Sequence, residues 1–150
     1  MDGDLRRAAV AALVKLGRGP DFRDGADAGQ ALAAFAELPE AREPLLEFLT
    51  DAGDTYVTLV TAKALLRRND EAGVSLVASA LAVANDNHGD HLHAAIIEVL
   101  GIFSQDLDDA VRCCEELERG GGDDIAARGA REMRSILLGI DPVLRAQQPE

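Results

Sequence analysis

The three histidines of this chain fall in one stretch, Asn85-Asp86-Asn87-His88-Gly89-Asp90-His91-Leu92-His93, together with two carboxylates. Imidazole and carboxylate suit zinc, nickel or iron, so His88, Asp90 and His91 are the residues from which a metal site would have to be built. Their spacing argues against one. His91 and His93 stand two apart on an expected helix and point to opposing sides, whereas a helical pair of ligands wants a separation of four. The calcium-loop pattern fails too, because its glycine and closing glutamate are not at loop spacing. The stretch reads as a polar loop between helices with Asp90 as the N-cap of the second, and no metal or other cofactor is expected.

Nucleophilic chemistry has one source, the adjacent Cys113 and Cys114. Neighbours on a helix point about 100° apart, so the pair cannot form a framework disulfide, and reduced thiols are expected. Nothing in the sequence brings a histidine to either thiol, and Cys114 reads as a core residue. Gly120-Gly121-Gly122 lacks the Lys-Ser/Thr of a phosphate loop and follows a helix rather than a strand, so it reads as a turn. Arg128, Arg131 and Arg134 recur every three residues and read as partners for neighbouring acids, each pair contributing about 0.2 to 0.5 kcal/mol. No catalytic residue is assigned.

Charge decides more. The 150 residues carry 27 acidic against 15 basic side chains, a formal net charge of −12. A polyanion must be neutralised by Lys and Arg, so nucleic acid is excluded as the expected partner. An acidic surface instead favours encounter with a basic protein. No stretch approaches 18 uninterrupted apolar residues and the start has no basic-then-apolar leader, so neither a membrane span nor secretion is expected, and the cytoplasm is the expected compartment.

The elements that would position these residues are helical. Apolar residues make up 47% of the chain but aromatics only 3%, so the core must be built from Ala, Leu, Val and Ile, with no period-2 run to suggest strands. Asp4 opens a first helix to about Leu16, which looks unpaired and ends at Gly17-Arg18-Gly19-Pro20. After a turn region over Asp21 to Asp27, Leu32, Phe35 and Leu38 mark a helix that Pro39 breaks, and Pro44 falls in the first turn of the next, over Ala41 to Asp51. Asp54-Thr55 opens a helix to about Arg67 and Asn69-Asp70-Glu71 opens its partner. Leu92, Ala95, Ile96, Val99, Leu100 and Phe103 then fit the helical template throughout, Leu107, Ala110, Val111, Cys114 and Leu117 mark an amphipathic partner, and Asp123-Asp124 caps a last helix that Asp141-Pro142 stops.

Acid-opened helices at Asp54, Asp90 and Asp124 stand 36 and 34 residues apart (54 to 90, 90 to 124), the spacing of helical-hairpin repeats. With the proline-bearing Ala41-Arg42-Glu43-Pro44-Leu45-Leu46-Glu47-Phe48-Leu49, these segments resemble the HEAT-like repeat family over about residues 24 to 138. The resemblance implies an all-α fold: a short right-handed α-solenoid of about eight helices, comprising a cap helix, three antiparallel hairpins and a terminal helix. It would form one domain over 1–144, with residues 145–150 expected to be a disordered tail.

In that family the second helices of the hairpins line the concave surface where partners dock. Their outward residues here are Glu40, Glu43, Glu47 and Asp51 on the first, Ser75 and Ser79 in a small-residue strip on the second, and Asp108, Asp109, Arg112, Glu115 and Glu116 on the third. A shallow groove flanked by carboxylates is the expectation, although exposed acids are the default in a chain of this charge. The expected function is a non-enzymatic protein-interaction module, a monomer or small homo-oligomer, that binds a basic partner, with toxin-neutralising immunity as one form of that class. The alternatives are a helical-repeat enzyme, lyase-like or metal-dependent, and a plain scaffold subunit.

Overall fold

In the computed structural model, which describes residues 2–120 and 124–146, the chain is all-α. Among the described residues eight α-helices follow one another: α1 (Gly3–Gly17), α2 (Phe22–Leu32), α3 (Pro39–Thr50), α4 (Thr55–Arg68), α5 (Glu71–Val83), α6 (Asp86–Leu100), α7 (Ser104–Arg119) and α8 (Ile125–Leu138), with a 3-10 turn over Ala33–Phe35. No helix among the described residues is long and apolar enough to cross a membrane.

Side-chain caps fix most helix starts. The Asp54, Asp70 and Asp124 carboxylates accept backbone N–H groups at the heads of α4, α5 and α8, each such cap contributing about 1 kcal/mol. Three starts differ from expectation. Asp2, not Asp4, caps α1, whose first-turn carboxylate is Asp4. Asp21 caps α2, so Phe22 to Asp27 is helix rather than turn. Asn85 caps α6, which places Asp90 inside the helix instead of at its head. The caps of α2, α4 and α6 therefore stand 33 and 31 residues apart (21 to 54, 54 to 85), a register different from the acid-opened one read along the sequence.

Both prolines near α3 act differently from expectation. Pro39 is the first residue of α3 and pushes Leu38 into extended backbone (φ −81°, ψ 132°), so it starts this helix rather than ending the one before. Pro44 consequently lies inside α3, one turn deeper than a first-turn proline, and is buried. Asn69 closes α4 in the left-handed region (φ 47°), and its side-chain amide donates to the Asp106 carbonyl at 3.1 Å, which ties the α4–α5 turn to the head of α7.

Packing centres on α5. Every residue from Gly73 to Leu81 is buried, as befits a helix covered on all sides. α2, α4 and α6 pack in succession, α3 and α4 lie against α5, and α1 covers α2 and touches α3. α8 packs extensively on both α5 and α7, while α7 meets α5 and α6 only lightly, so the terminal helix takes the place beside α5 that the third hairpin was expected to fill. Small residues permit this: Ala126, Ala127, Gly129 and Ala130 are buried on α8, and a Cβ built on Gly129 would fall 1.7 Å from the Ala78 carbonyl oxygen. Two helix backbones can approach so closely only where one has no side chain.

The C-terminal segment turns back over the α6–α7 connection. The Val143 and Leu144 N–H groups donate to Gly101 and Ile102 carbonyls at 3.0 and 2.7 Å, Ser104 N–H donates to Leu144 at 2.8 Å, and Ala146 N–H donates to Ser104 Oγ at 3.1 Å. Of the tail expected over 145–150, Arg145 and Ala146 are thus part of the described fold, and 147–150 lie outside the described residues.

Gly129→Ala is expected to destabilise the protein by about 3 kcal/mol through backbone displacement between α5 and α8. Gly89→Ala, on α6 with nothing within 4 Å of the added Cβ, is expected to stabilise by about 0.4 to 1 kcal/mol. Urea unfolding of the two variants reads both; equal midpoints would refute the close contact.

Candidate functional site

Glu40, Glu43, Glu47 and Asp51 do run along α3, at separations of three and four residues. The row is not uniformly free. Glu40 Oε1 pairs with Arg7 Nε of α1 at 3.3 Å and Glu47 Oε2 with Nε of Arg18, the C-cap of α1, at 3.0 Å. The sequence left α1 unpaired and could not supply these partners, which lie 33 and 29 residues away. Glu43 and Asp51 are exposed and make no ion pair among the described residues.

On α7 the same division holds. Asp109 is engaged by Arg112 on its own helix and accepts from Gln105 Nε2 at 2.9 Å, whereas Asp108, Glu115 and Glu116 are exposed and unpaired among the described residues. Glu118 takes Arg134 of α8 at 2.7 Å, which bears out part of the salt-bridging expected for the arginines there. α3 and α7 both touch α5 and make no extensive contact with each other, so α5 lies between the two acidic sets.

Ser75 and Ser79 are corrected outright as an open strip. They are 8% and 6% exposed, because α5 is covered on all sides. Ser75 Oγ donates to the Ala72 carbonyl at 3.3 Å, and Arg42 Nη1 reaches it at 3.5 Å. Ser75 instead sits in the floor of a furrow of about 500 Å³ between Pro39 and Arg42 of α3 and Glu71 of α5. A second hollow of about 420 Å³ runs on from Glu71 to Glu116, Leu117 and Asp124. Glu71 is the residue the two share, and it makes no ion pair among the described residues. Sequence reasoning had used it only as a helix opener, and its one available signal was its place in the first turn of the most buried helix.

Glu37, which lines the furrow, belongs to a charge network that reaches the α4–α5 turn. Arg68 joins Glu37 at 3.0 Å and Asp70 at 2.9 Å, donates to the Ala33 carbonyl at 2.9 Å, and shares Glu37 with Arg6. At Glu37 a hydrogen bond from its own backbone N–H, with both arginines, outweighs desolvation and lowers the carboxyl pKa. At Asp70 desolvation is the largest influence and pushes the pKa up. The Arg68 hydrogen bond, the Gly73 N–H and the Arg68 charge together overcome it and leave the pKa lowered.

The metal candidates are otherwise engaged. His88 is buried, with Nδ1 2.9 Å from Asn85 Oδ1 and Nε2 3.0 Å from the Ala52 carbonyl, so both ring nitrogens are committed to tying the head of α6 to the α3–α4 connection. His91 Nδ1 lies 2.8 Å from the Asn87 carbonyl and Asp90 is exposed. Among the described residues no three His, Cys, Asp or Glu side chains are gathered as metal ligands would be. Both thiols are suppressed: burial, then Glu116, pushes Cys113 up to about 11, and burial, then Cys113, pushes Cys114 up to about 12.

Comparison with protein-family models finds no match, and comparison with curated proteins finds no relative. Among solved structures, the crystal structure of an engineered protein is similar at 21% identity with a TM-score of 0.35. The similarity covers 86% of this chain and 62% of that one, so this chain spans less than two thirds of its neighbour. A superposition that loose carries no argument.

Because the Glu37 and Asp70 pKa values are lowered on folding, their stabilisation is present above the ordinary carboxylate values of 4.5 and 3.8 and is lost as pH falls through the lowered folded values. Asp70→Asn keeps an acceptor for Gly73 N–H but removes the ion pair, so its urea midpoint is expected to fall less steeply on acidification than that of the parent. Iodoacetamide at pH 8 is expected to alkylate the folded protein at least about tenfold more slowly than the urea-unfolded chain, since little thiolate exists in the fold. Mass spectrometry counts the adducts, and rapid double labelling of native protein would contradict the burial.

Proposed function

We propose that this chain is a non-enzymatic protein-interaction module that binds a basic protein partner through its acidic face at α5 and α7. The observation that carries the reading is the sorting of its carboxylates. Glu40, Glu47 and Glu118 are paired with arginines from neighbouring elements, while Glu71, Asp108, Glu115 and Glu116 are left without a cation among the described residues. Unneutralised like charges disfavour the compact state and are offset when a cationic surface docks. Glu71, at the junction of two hollows, is the central contact in this reading.

The succession α2, α4, α6 with α3 and α5 alongside supports the finer reading of a short right-handed HEAT-like α-solenoid, with α8 taking over the inner row at the end. In that reading the furrow lies on the second-helix side, where such scaffolds receive partners. Neutralisation of a cationic toxin by an immunity protein is one form this activity would take, and the formal charge of −12 suits it.

The test is capture of the partner from the protein's own cell, followed by titration of the purified pair. Affinity is expected to fall at least about tenfold between 0.05 and 0.3 M salt, as exposed charge pairs are screened. Glu71→Lys combined with Glu116→Lys is expected to weaken binding by a further factor of about ten or more, with the circular dichroism spectrum unchanged. Undiminished affinity in that folded double variant would sink the assignment of this face.

A further inference from the structure

The turns at one end of the fold enclose a cleft of about 580 Å³, apart from the furrow beside Glu71. The α1–α2 connection forms one wall and the α3–α4 connection the other, and Phe22, Phe48 and Val57 supply an apolar lining. Phe48 lies against Gly17 so closely that a Cβ there would fall 2.3 Å from its ring, so the floor is set by a glycine. Around the rim stand Asp21, Glu47, Asp51 and Asp54, with Arg18 the one cation among the described lining residues and Arg23 3.9 Å from Asp21.

Three features of the cleft agree on the charge of its occupant. α3 ends here with no basic residue in its last turn and with Asp51 as its C-cap, a negative group at the negative end of a helix, where a cation is favoured. Asp21 and Asp54 each use one carboxylate oxygen as a helix cap, at 2.8 Å, which fixes their orientation at the rim. The chain's own arginines show which cation fits: Arg18 Nε binds Glu47 at 3.0 Å on the rim, and the Arg23 guanidinium stands 5.6 Å from the centre of the Phe22 ring. Asp51 is left without such a partner among the described residues.

We propose that this cleft is a docking site for an arginine side chain presented by a protein partner, with Asp51 and Asp54 as its acceptors and Phe48 and Val57 beneath its stem. The proposal rests on the reading that the partner is basic and adds a second point of contact, at the opposite end of α3 from Arg42. A planar guanidinium matches paired carboxylate acceptors and packs on aromatic surface in ways that an ammonium does not. The aliphatic stem suits the apolar lining.

The probe is N-acetyl-arginine amide, titrated into the full-length, isotope-labelled protein and followed by two-dimensional amide NMR, with N-acetyl-citrulline amide as the uncharged isostere. Saturable shifts are expected at the Gly19, Gly53 and Val57 amides with a Kd on the order of 1 mM. The citrulline compound and the Asp51→Asn variant are each expected to bind about tenfold more weakly, the loss of one charge-assisted hydrogen bond. Arginine shifts confined to Glu71 and Glu116 would overturn the cleft while upholding a basic partner. Absence of saturable shifts anywhere would count against both, and equal shifts with citrulline would overturn the role given to charge.

Discussion

The contact between Gly129 and the Ala78 carbonyl is the constraint on which the rest of the packing depends. α5 is apolar or small along its whole buried length, so it has to be covered on every side, and α3, α4 and α8 supply most of that cover. α8 completes the cover because its Ala126, Ala127, Gly129 and Ala130 face lets the two backbones meet. Once α8 occupies that position, α7 is displaced outward and buries only Leu107, Ala110 and Cys114. An outward α7 must be polar over the rest of its circumference, and its run of acids satisfies that requirement. The acidic face is therefore a consequence of core geometry before it is anything else.

Charge follows the same logic at the other end. α1 is short of buried contacts, with Val10 its one fully buried residue, and Arg6, Arg7 and Arg18 supply what packing does not by reaching carboxylates at Glu37, Glu40 and Glu47. Exposed pairs of this kind each contribute roughly 0 to 1 kcal/mol, so they orient α1 more than they stabilise it. The Arg68 network differs in being anchored to a backbone carbonyl and to two carboxylates on separate elements. It ties the α4–α5 turn to Glu37, which lines the furrow beside Glu71.

What could be read along the sequence was local. Caps such as Asp54, Asp70 and Asp124 bind the backbone two or three residues ahead, so a short window contains both partners. Asp90 resembled them but lost the role to Asn85, because two competent caps five residues apart are separated only by what the preceding turn packs against, here His88 and the Ala52 carbonyl. The place of α8 was illegible for a similar reason. Repeat spacing assigns helices to successive hairpins, whereas the choice between α7 and α8 as neighbour of α5 is made by side-chain volume at Gly129. Burial of Ser75 was illegible too, because Arg42 of α3, 33 residues away, reaches over it. Glu40 and Glu47 lie on one helix as expected, but their cations, Arg7 and Arg18, stand 33 and 29 residues away and could not be read from a local window.

The furrow and the cleft also bear on the shape a partner would need. Arg42 and Pro39 border the furrow at the head of α3, and Phe48 and Asp51 border the cleft at its end. The midpoints of the two borders lie nine residues apart, about 14 Å at 1.5 Å per residue. No single side chain spans that distance. On the proposed reading, a partner that uses both must present two cationic points on a rigid element of its own, such as a helix about three turns long, and Glu43, exposed between them, then lies under its middle. A flexible basic tail could satisfy either site alone but would lose conformational entropy at every residue ordered between them. A folded basic domain is the occupant that the spacing favours.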